Sequence, residues 1–100
     1  MFISISHHYC KPGHLEAARE RVDKSCITLL EEPGCLYRYR MERPSLPNVV
    51  SAITAWKSEE DFERSRQKRF GGGHDLSKTP YEKVESEQYH VHPSPGASRD

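Results

Sequence analysis

Glu32-Pro33-Gly34-Cys35-Leu36-Tyr37-Arg38-Tyr39 and Ala55-Trp56-Lys57-Ser58-Glu59-Glu60-Asp61-Phe62 are the two stretches whose reading decides the fold. Proline followed by glycine cannot prolong a helix, so the first stretch ends one and releases the chain into an alternating strand. The second ends a strand on Trp56 and opens a helix. Ser58 is a good N-cap there, and Asp61 stands three residues on, where the acid of a capping box belongs.

Outward from these stretches the periodicities complete the pattern. Phe2 to Tyr9 alternates as a strand does, with Ile3, Ile5, His7 and Tyr9 on one face and Phe2, Ser4, Ser6 and His8 on the other. Lys11-Pro12-Gly13 ends it. From Leu15 to about Glu31 a helix is expected, because Leu15, Ala18, Val22, Cys26, Leu29 and Leu30 recur at steps of three and four. A second alternating strand covers Cys35 to Glu42, and the two prolines between Arg43 and Asn48 break it. Val49 to Trp56 is a nearly continuous apolar run rich in β-branched residues, suited to a central strand covered on both faces.

The helix after Ser58 carries acids in its first turn and Arg66, Lys68 and Arg69 in its last, as its dipole favours. Phe62 and Phe70 are its apolar anchors, and Gly71-Gly72-Gly73 ends it. A last strand is expected at about Ser86 to His92. Residues 93–100 have the composition of a disordered tail, so the domain is expected over residues 1–92.

The order is β-α-β-β-α-β. It specifies an α+β domain of ferredoxin-like form, a four-stranded antiparallel sheet with both helices on one face. The other face then needs cover, and the apolar third strand points to the same face of a second copy, a homodimer. With 34% hydrophobic and 30% charged residues, a chain this short has little core of its own. Fifteen basic residues balance fifteen acidic ones, leaving no global field to attract nucleic acid or an anionic membrane. No stretch approaches the roughly 20 apolar residues that cross a bilayer. Met1 to Ile5 lacks a basic leader and a long apolar run, so a cytoplasmic location is expected. Cys10, Cys26 and Cys35 are odd in number and scattered, which suits reduced thiols and not a disulfide framework.

A helix, then Glu32-Pro33-Gly34-Cys35-Leu36-Tyr37, then a proline-containing loop, then an apolar strand ending Trp56-Lys57-Ser58 with Phe62 four residues on, resembles the antibiotic biosynthesis monooxygenase (ABM) family. The resemblance covers about Phe2 to Val91. It implies a dimeric α+β barrel with a ligand pocket between the sheet and helices of one subunit. It implies cofactor-independent monooxygenation of a small aromatic, a phenol or quinol, with no metal. Haem binding or degradation is the alternative within the same fold, and a non-enzymatic small-ligand-binding or regulatory dimer is the third. The haem degraders carry an asparagine late in the first strand, a tryptophan in the second helix and a histidine just after it. In this chain those places hold His7, Arg64 or Ser65, and His74.

Under that resemblance the pocket side of the first strand is expected to be its more apolar parity, Ile3, Ile5, His7 and Tyr9. On the second strand it is expected to be Cys35, Tyr37, Tyr39 and Met41. His7 is then the base that deprotonates the substrate, since histidine is the side chain suited to moving protons at neutral pH. Tyr9, Tyr37 and Tyr39 offer hydroxyls and rings for the substrate, and Trp56 borders the pocket with an indole N–H donor. His74 would gate the pocket or ligate haem. Each also has a plainer reading: a strand-end histidine, core tyrosines, a packing tryptophan and a loop histidine. Arg64, Arg66, Lys68 and Arg69 form a basic cluster that would attract a carboxylate at the pocket mouth, or serve as a solvated helix end. No metal site is expected, because strand parity separates His7 from His8 and no Cys-x-x-Cys or His-x-x-x-His occurs.

Overall fold

Gly34 ties the two fold-deciding stretches together. Its φ of +86° lies in the left-handed region that favours glycine. A Cβ at this position would come within 2.3–2.6 Å of the Asp61 side chain. Its carbonyl accepts a hydrogen bond from the Lys57 N–H at 2.8 Å. Asp61 is held in turn by the helix cap: its N–H donates to Ser58 Oγ at 3.2 Å, and the Ser58 hydroxyl donates to Asp61 Oδ2 at 2.9 Å. The turn out of one helix thus packs against the start of the other.

The computed structural model describes residues 1–71 and 75–92, apart from the side chain of Phe70. In chain order the elements are β1 (Phe2–Cys10), α1 (Leu15–Leu29), β2 (Cys35–Met41), β3 (Val49–Trp56), α2 (Glu59–Phe70), a 3₁₀ turn (Leu76–Lys78) and β4 (Tyr81–His90). The strands pair antiparallel in the order β2-β3-β1-β4. This is the expected ferredoxin-like arrangement. The tail at 93–100, Gly72, Gly73 and His74 lie outside the described residues.

Both helices lie on one face of the sheet. α1 packs Ala18 and Val22 onto Cys10, Val50, Ala52 and Tyr81. At the other end Leu29 of α1 and Phe62 of α2 meet Phe2 and Trp56. The Phe2 and Phe62 rings are 5.1 Å apart, and Trp56 meets Phe62 edge-on at 6.2 Å. The expected α1 stripe is in place except at Leu30, which is exposed one residue past the helix end.

Two expectations are corrected. The helix-facing parity of β1 is Phe2, Ser4, Ser6 and His8, opposite to the one expected, because Phe2 pairs with Trp56 and His8 with Val50 under the helices. Ile3, Ile5, His7 and Tyr9 face the open side. On β2 a bulge between Cys35 and Tyr37 puts Cys35 beside Trp56 on the helix side and Tyr37, Tyr39 and Met41 on the open side. Apolar content misled this assignment, since the open face carries isoleucines while the helix face carries two serines. β4 begins at Tyr81, five residues before the expected start. Its first half, Glu82-Lys83-Val84-Glu85, is polar because it is an edge strand and lacks the apolar alternation of a buried one.

Candidate functional site

Small residues on the helix-facing side of the sheet leave a hollow beneath the helices. Ser4 and Ser6 of β1, Thr54 of β3 and Ser86 and Gln88 of β4 form part of its lining. Trp56, Phe62, Leu29 and Val84 supply apolar walls, and His8, Arg38, Arg66 and Arg69 complete it. The cavity measures about 180 Å³. A neighbouring cavity of about 290 Å³ shares His8, Leu29, Arg38 and Arg69 and adds Arg21, Ser25 and Tyr81.

His8 is buried, and its Nδ1 lies 2.8 Å from the Val50 carbonyl oxygen. A carbonyl only accepts, so Nδ1 carries the hydrogen, and in the neutral form of the ring Nε2 is the nitrogen with a lone pair. The Tyr81 ring lies 4.5 Å from the imidazole and holds its plane.

Arg38 projects from β2 toward α1, where Nε donates to Ser25 Oγ at 3.0 Å and Nη1 to Thr54 Oγ1 at 2.7 Å. Burial pushes its guanidinium down from the ordinary arginine value. Arg69 donates from Nε to Ser65 Oγ at 3.0 Å. Burial first, and then the Arg38 charge, push its guanidinium down as well. Arg66 is paired along its own helix with Glu63 at 2.8 Å. Trp56 is 1% exposed, and its Nε1–H has no hydrogen-bond partner among the described residues. Burial raises the Cys10 and Cys35 thiols, the opposite of the shift that activates a cysteine nucleophile.

Of the described residues expected to act on or bind the substrate, Trp56 lines this cavity. His7 and Tyr9 border a separate hollow of about 230 Å³ on the open face, with Arg43, Leu46 and Glu85. His7 is anchored there, Nδ1 2.7 Å from Ser51 Oγ and Nε2 2.6 Å from Glu87 Oε1. The Tyr89 hydroxyl donates to the other oxygen of Glu87 at 2.5 Å. Tyr37 and Tyr39 are also on the open face, their rings 5.3 Å apart. His74 lies outside the described residues. Arg66 and Arg69 of the basic cluster line the cavity, whereas Arg64 pairs with Asp61 at 3.0 Å and Lys68 with Glu32 at 3.2 Å. His8 and Arg38 line the cavity and were not singled out in the sequence. The signal for both was in the strands: small Ser4 and Ser6 share the parity of His8, and small side chains in a strand leave room that a ligand can fill.

A four-stranded antiparallel sheet with two helices on one face and a cavity between them defines a ferredoxin-like α+β protein. The sequence profile described as antibiotic biosynthesis monooxygenase (ABM) matches residues 1–69, and the chain belongs to that family. Solved structures share the fold at low identity. PA3566 from Pseudomonas aeruginosa is 20% identical, with 92% of this chain and 94% of that one covered and a TM-score of 0.74. A proposed antibiotic biosynthesis monooxygenase from Deinococcus radiodurans is 15% identical, with 94% and 95% covered and a TM-score of 0.78. A mutant of MhuD, with two manganese protoporphyrin IX molecules bound per active site, is 15% identical, with 97% and 100% covered and a TM-score of 0.71. No curated protein sequence matches the chain. Among the described residues no helix is long and apolar enough to cross a membrane.

Proposed function

We propose that this protein is a cofactor-independent monooxygenase of a small aromatic substrate, a phenol or quinol, with one pocket in each subunit of a homodimer. The observation that supports this reading is one cavity that combines an oriented imidazole, His8, with the apolar walls of Leu29, Trp56 and Phe62. His8 Nε2 takes the hydroxyl proton of the substrate, and the imidazolium so formed stabilises the resulting anion. An electron-rich ring carbon that carries hydrogen, ortho or para to the oxygen, then bonds to dioxygen and forms a hydroperoxide. Loss of the ring proton and cleavage of the O–O bond release water and leave a quinone. The substrate supplies all four electrons: phenol plus O₂ gives quinone plus H₂O. The apolar walls keep bulk water from the anion. In this reading the proton-accepting role expected of His7 passes to His8.

The two cavities, about 180 and 290 Å³, lie at or below the roughly 300–1,000 Å³ usual for ligand sites. We therefore assign a one- or two-ring ligand in preference to a tetrapyrrole.

The homodimer is supported by the open face of the sheet. Ile5 pairs with Ile53 across the two central strands, and Tyr39 and Tyr89 stand 62% and 48% exposed on the same side. A second copy of this face covers them and places Tyr9, Tyr37 and Tyr39 at the subunit contact.

Oxygen uptake with a panel of phenols and quinols tests the enzyme reading. Monooxygenation consumes one O₂ per substrate and releases no hydrogen peroxide, which separates it from autoxidation. Turnover that matches a His8→Gln control for every substrate removes the reading and leaves a ligand-binding dimer.

A further inference from the structure

The chain has equal numbers of basic and acidic residues, yet its cavity does not. Arg38, Arg66 and Arg69 line it, and among the described residues no aspartate or glutamate does. The adjoining cavity adds Arg21 and again no described acid. Of these arginines Arg66 is neutralised by Glu63. Arg38 is different: it reaches between sheet and helix, and its hydrogen bonds go to the hydroxyls of Ser25 and Thr54. A guanidinium taken out of water carries a cost that hydroxyl dipoles offset only in part and that an anion would remove.

A second feature points the same way. The Trp56 Nε1–H is buried without a partner among the described residues, and Trp56 lines the same cavity. An indole N–H can only donate, so the group it awaits is an acceptor. An unpaired buried donor and a buried guanidinium on two residues that line one cavity are complementary to an oxygen anion.

We propose that the ligand of this cavity is an aromatic carboxylate, its carboxylate held by Arg38, Arg69 and the Trp56 indole N–H and its ring by Leu29 and Phe62. This rests on the reading above that the cavity is the substrate site, and it narrows the substrate to a hydroxyaryl carboxylate. The planar fork of arginine matches a carboxylate with two parallel hydrogen bonds. A phosphate group is the other common ligand of arginine, and it favours a helix N-terminus. The N-terminus of α2 is closed by the Ser58–Asp61 cap, whereas Arg66 and Arg69 stand in its C-terminal half. The burial that depresses Arg38 and the mutual repulsion of Arg38 and Arg69 are both relieved when an anion sits between them.

Trp56 is the only tryptophan in the chain, so its fluorescence reports occupancy, with calorimetry as the independent measure. The probes are 4-hydroxybenzoate, its methyl ester, phenyl phosphate and inorganic phosphate. In the wild-type protein the acid is expected to bind at least tenfold tighter than the ester. Arg38→Met and Arg69→Met abolish that ratio, while Arg64→Met, on the same helix as Arg69 but outside the cavity, retains it. Added salt weakens the acid and spares the ester. If Arg38→Met fails to fold by circular dichroism, Arg69→Met and the wild-type acid-to-ester ratio decide. Equal binding of acid and ester, tighter binding of phenyl phosphate than of the acid, or no binding of any probe at millimolar concentration overturns the proposal. Acid-selective binding without His8-dependent oxygen uptake retains the anion site and removes the oxygenase. Turnover of neutral phenols without acid preference does the reverse.

Discussion

His7 and His8 are adjacent in β1 and face opposite sides of the sheet. His8 bonds the Val50 carbonyl at 2.8 Å beneath the helices, and His7 bridges Ser51 and Glu87 at 2.7 and 2.6 Å on the open side. The strand period of two separates them completely. The two are therefore expected to act on different processes. His8→Gln should lower phenol oxidation by about 10²-fold or more, the usual contribution of a positioned base. His7→Gln should leave the KM of the pocket unchanged and instead weaken subunit association. Steady-state kinetics paired with sedimentation separate the two, and equal kinetic damage from both variants would contradict the assignment.

The open face should bring two chains together. Sedimentation at micromolar concentration is expected to give about 23 kDa, twice the 11.5 kDa chain mass. Ile53 lies at the centre of that face, paired with Ile5 on one side and Tyr39 on the other. Ile53→Asp would bury a charge in the contact and should give a monomer. A wild-type monomer, or an Ile53→Asp dimer of unchanged affinity, would sink the prediction.

Two glycines with positive φ offer a matched pair. Gly13, at +78°, has open space where a Cβ would stand, whereas a Cβ on Gly34 meets Asp61. Gly13→Ala is expected to cost only the backbone strain, about 1–2 kcal/mol. Gly34→Ala adds displacement of Asp61 and loss of the Ser58 cap, worth about a further 1 kcal/mol. Urea denaturation of the two variants and of Ser58→Ala measures the difference. Equal destabilisation by the two glycine variants would mean that the Asp61 contact carries nothing.

Acid should weaken the open face. Glu85 is held below the ordinary carboxylate value of 4.5, chiefly by the Tyr9 hydroxyl. Glu87 is held below it chiefly by the Tyr89 hydroxyl and next by His7. A carboxyl with a lower pKa in the folded chain binds fewer protons there than when unfolded. Its stabilisation is thus complete above 4.5 and disappears as the pH falls through the folded value. Both groups are exposed, so the effect is small and screened by salt. Denaturation midpoints between neutral pH and about pH 3 should fall less in Glu87→Gln than in the wild type. Parallel curves would remove Glu87 from the acid limb.

Much of the fold was legible because its signals are short-range. Val49–Trp56 is the central strand that its apolar run predicted. Ser58 caps α2 through Asp61, and Pro33-Gly34 ends the turn out of α1. The site was less legible. Trp56 was read as a pocket residue and lines the cavity, but His7, Tyr9, Tyr37 and Tyr39 were assigned to the helix side on apolar content. That content marks the open face instead, while the helix face is built of small residues that leave a hollow.

Periodicity, caps and turn glycines act over a few residues, so the sequence by itself determined the element order, the antiparallel ferredoxin-like class and the family resemblance. It also determined that His7 and His8 part company, since a strand alternates wherever it is placed. Only the tertiary structure decided which of the two lies beneath the helices. That choice depends on Phe2, Trp56, Leu29 and Phe62 meeting from distant parts of the chain and on the bulge at Cys35, which turns the tyrosines of β2 outward. The same long-range packing gathers Arg38, Arg69 and Trp56, from three separate elements, around one cavity that no described acid lines.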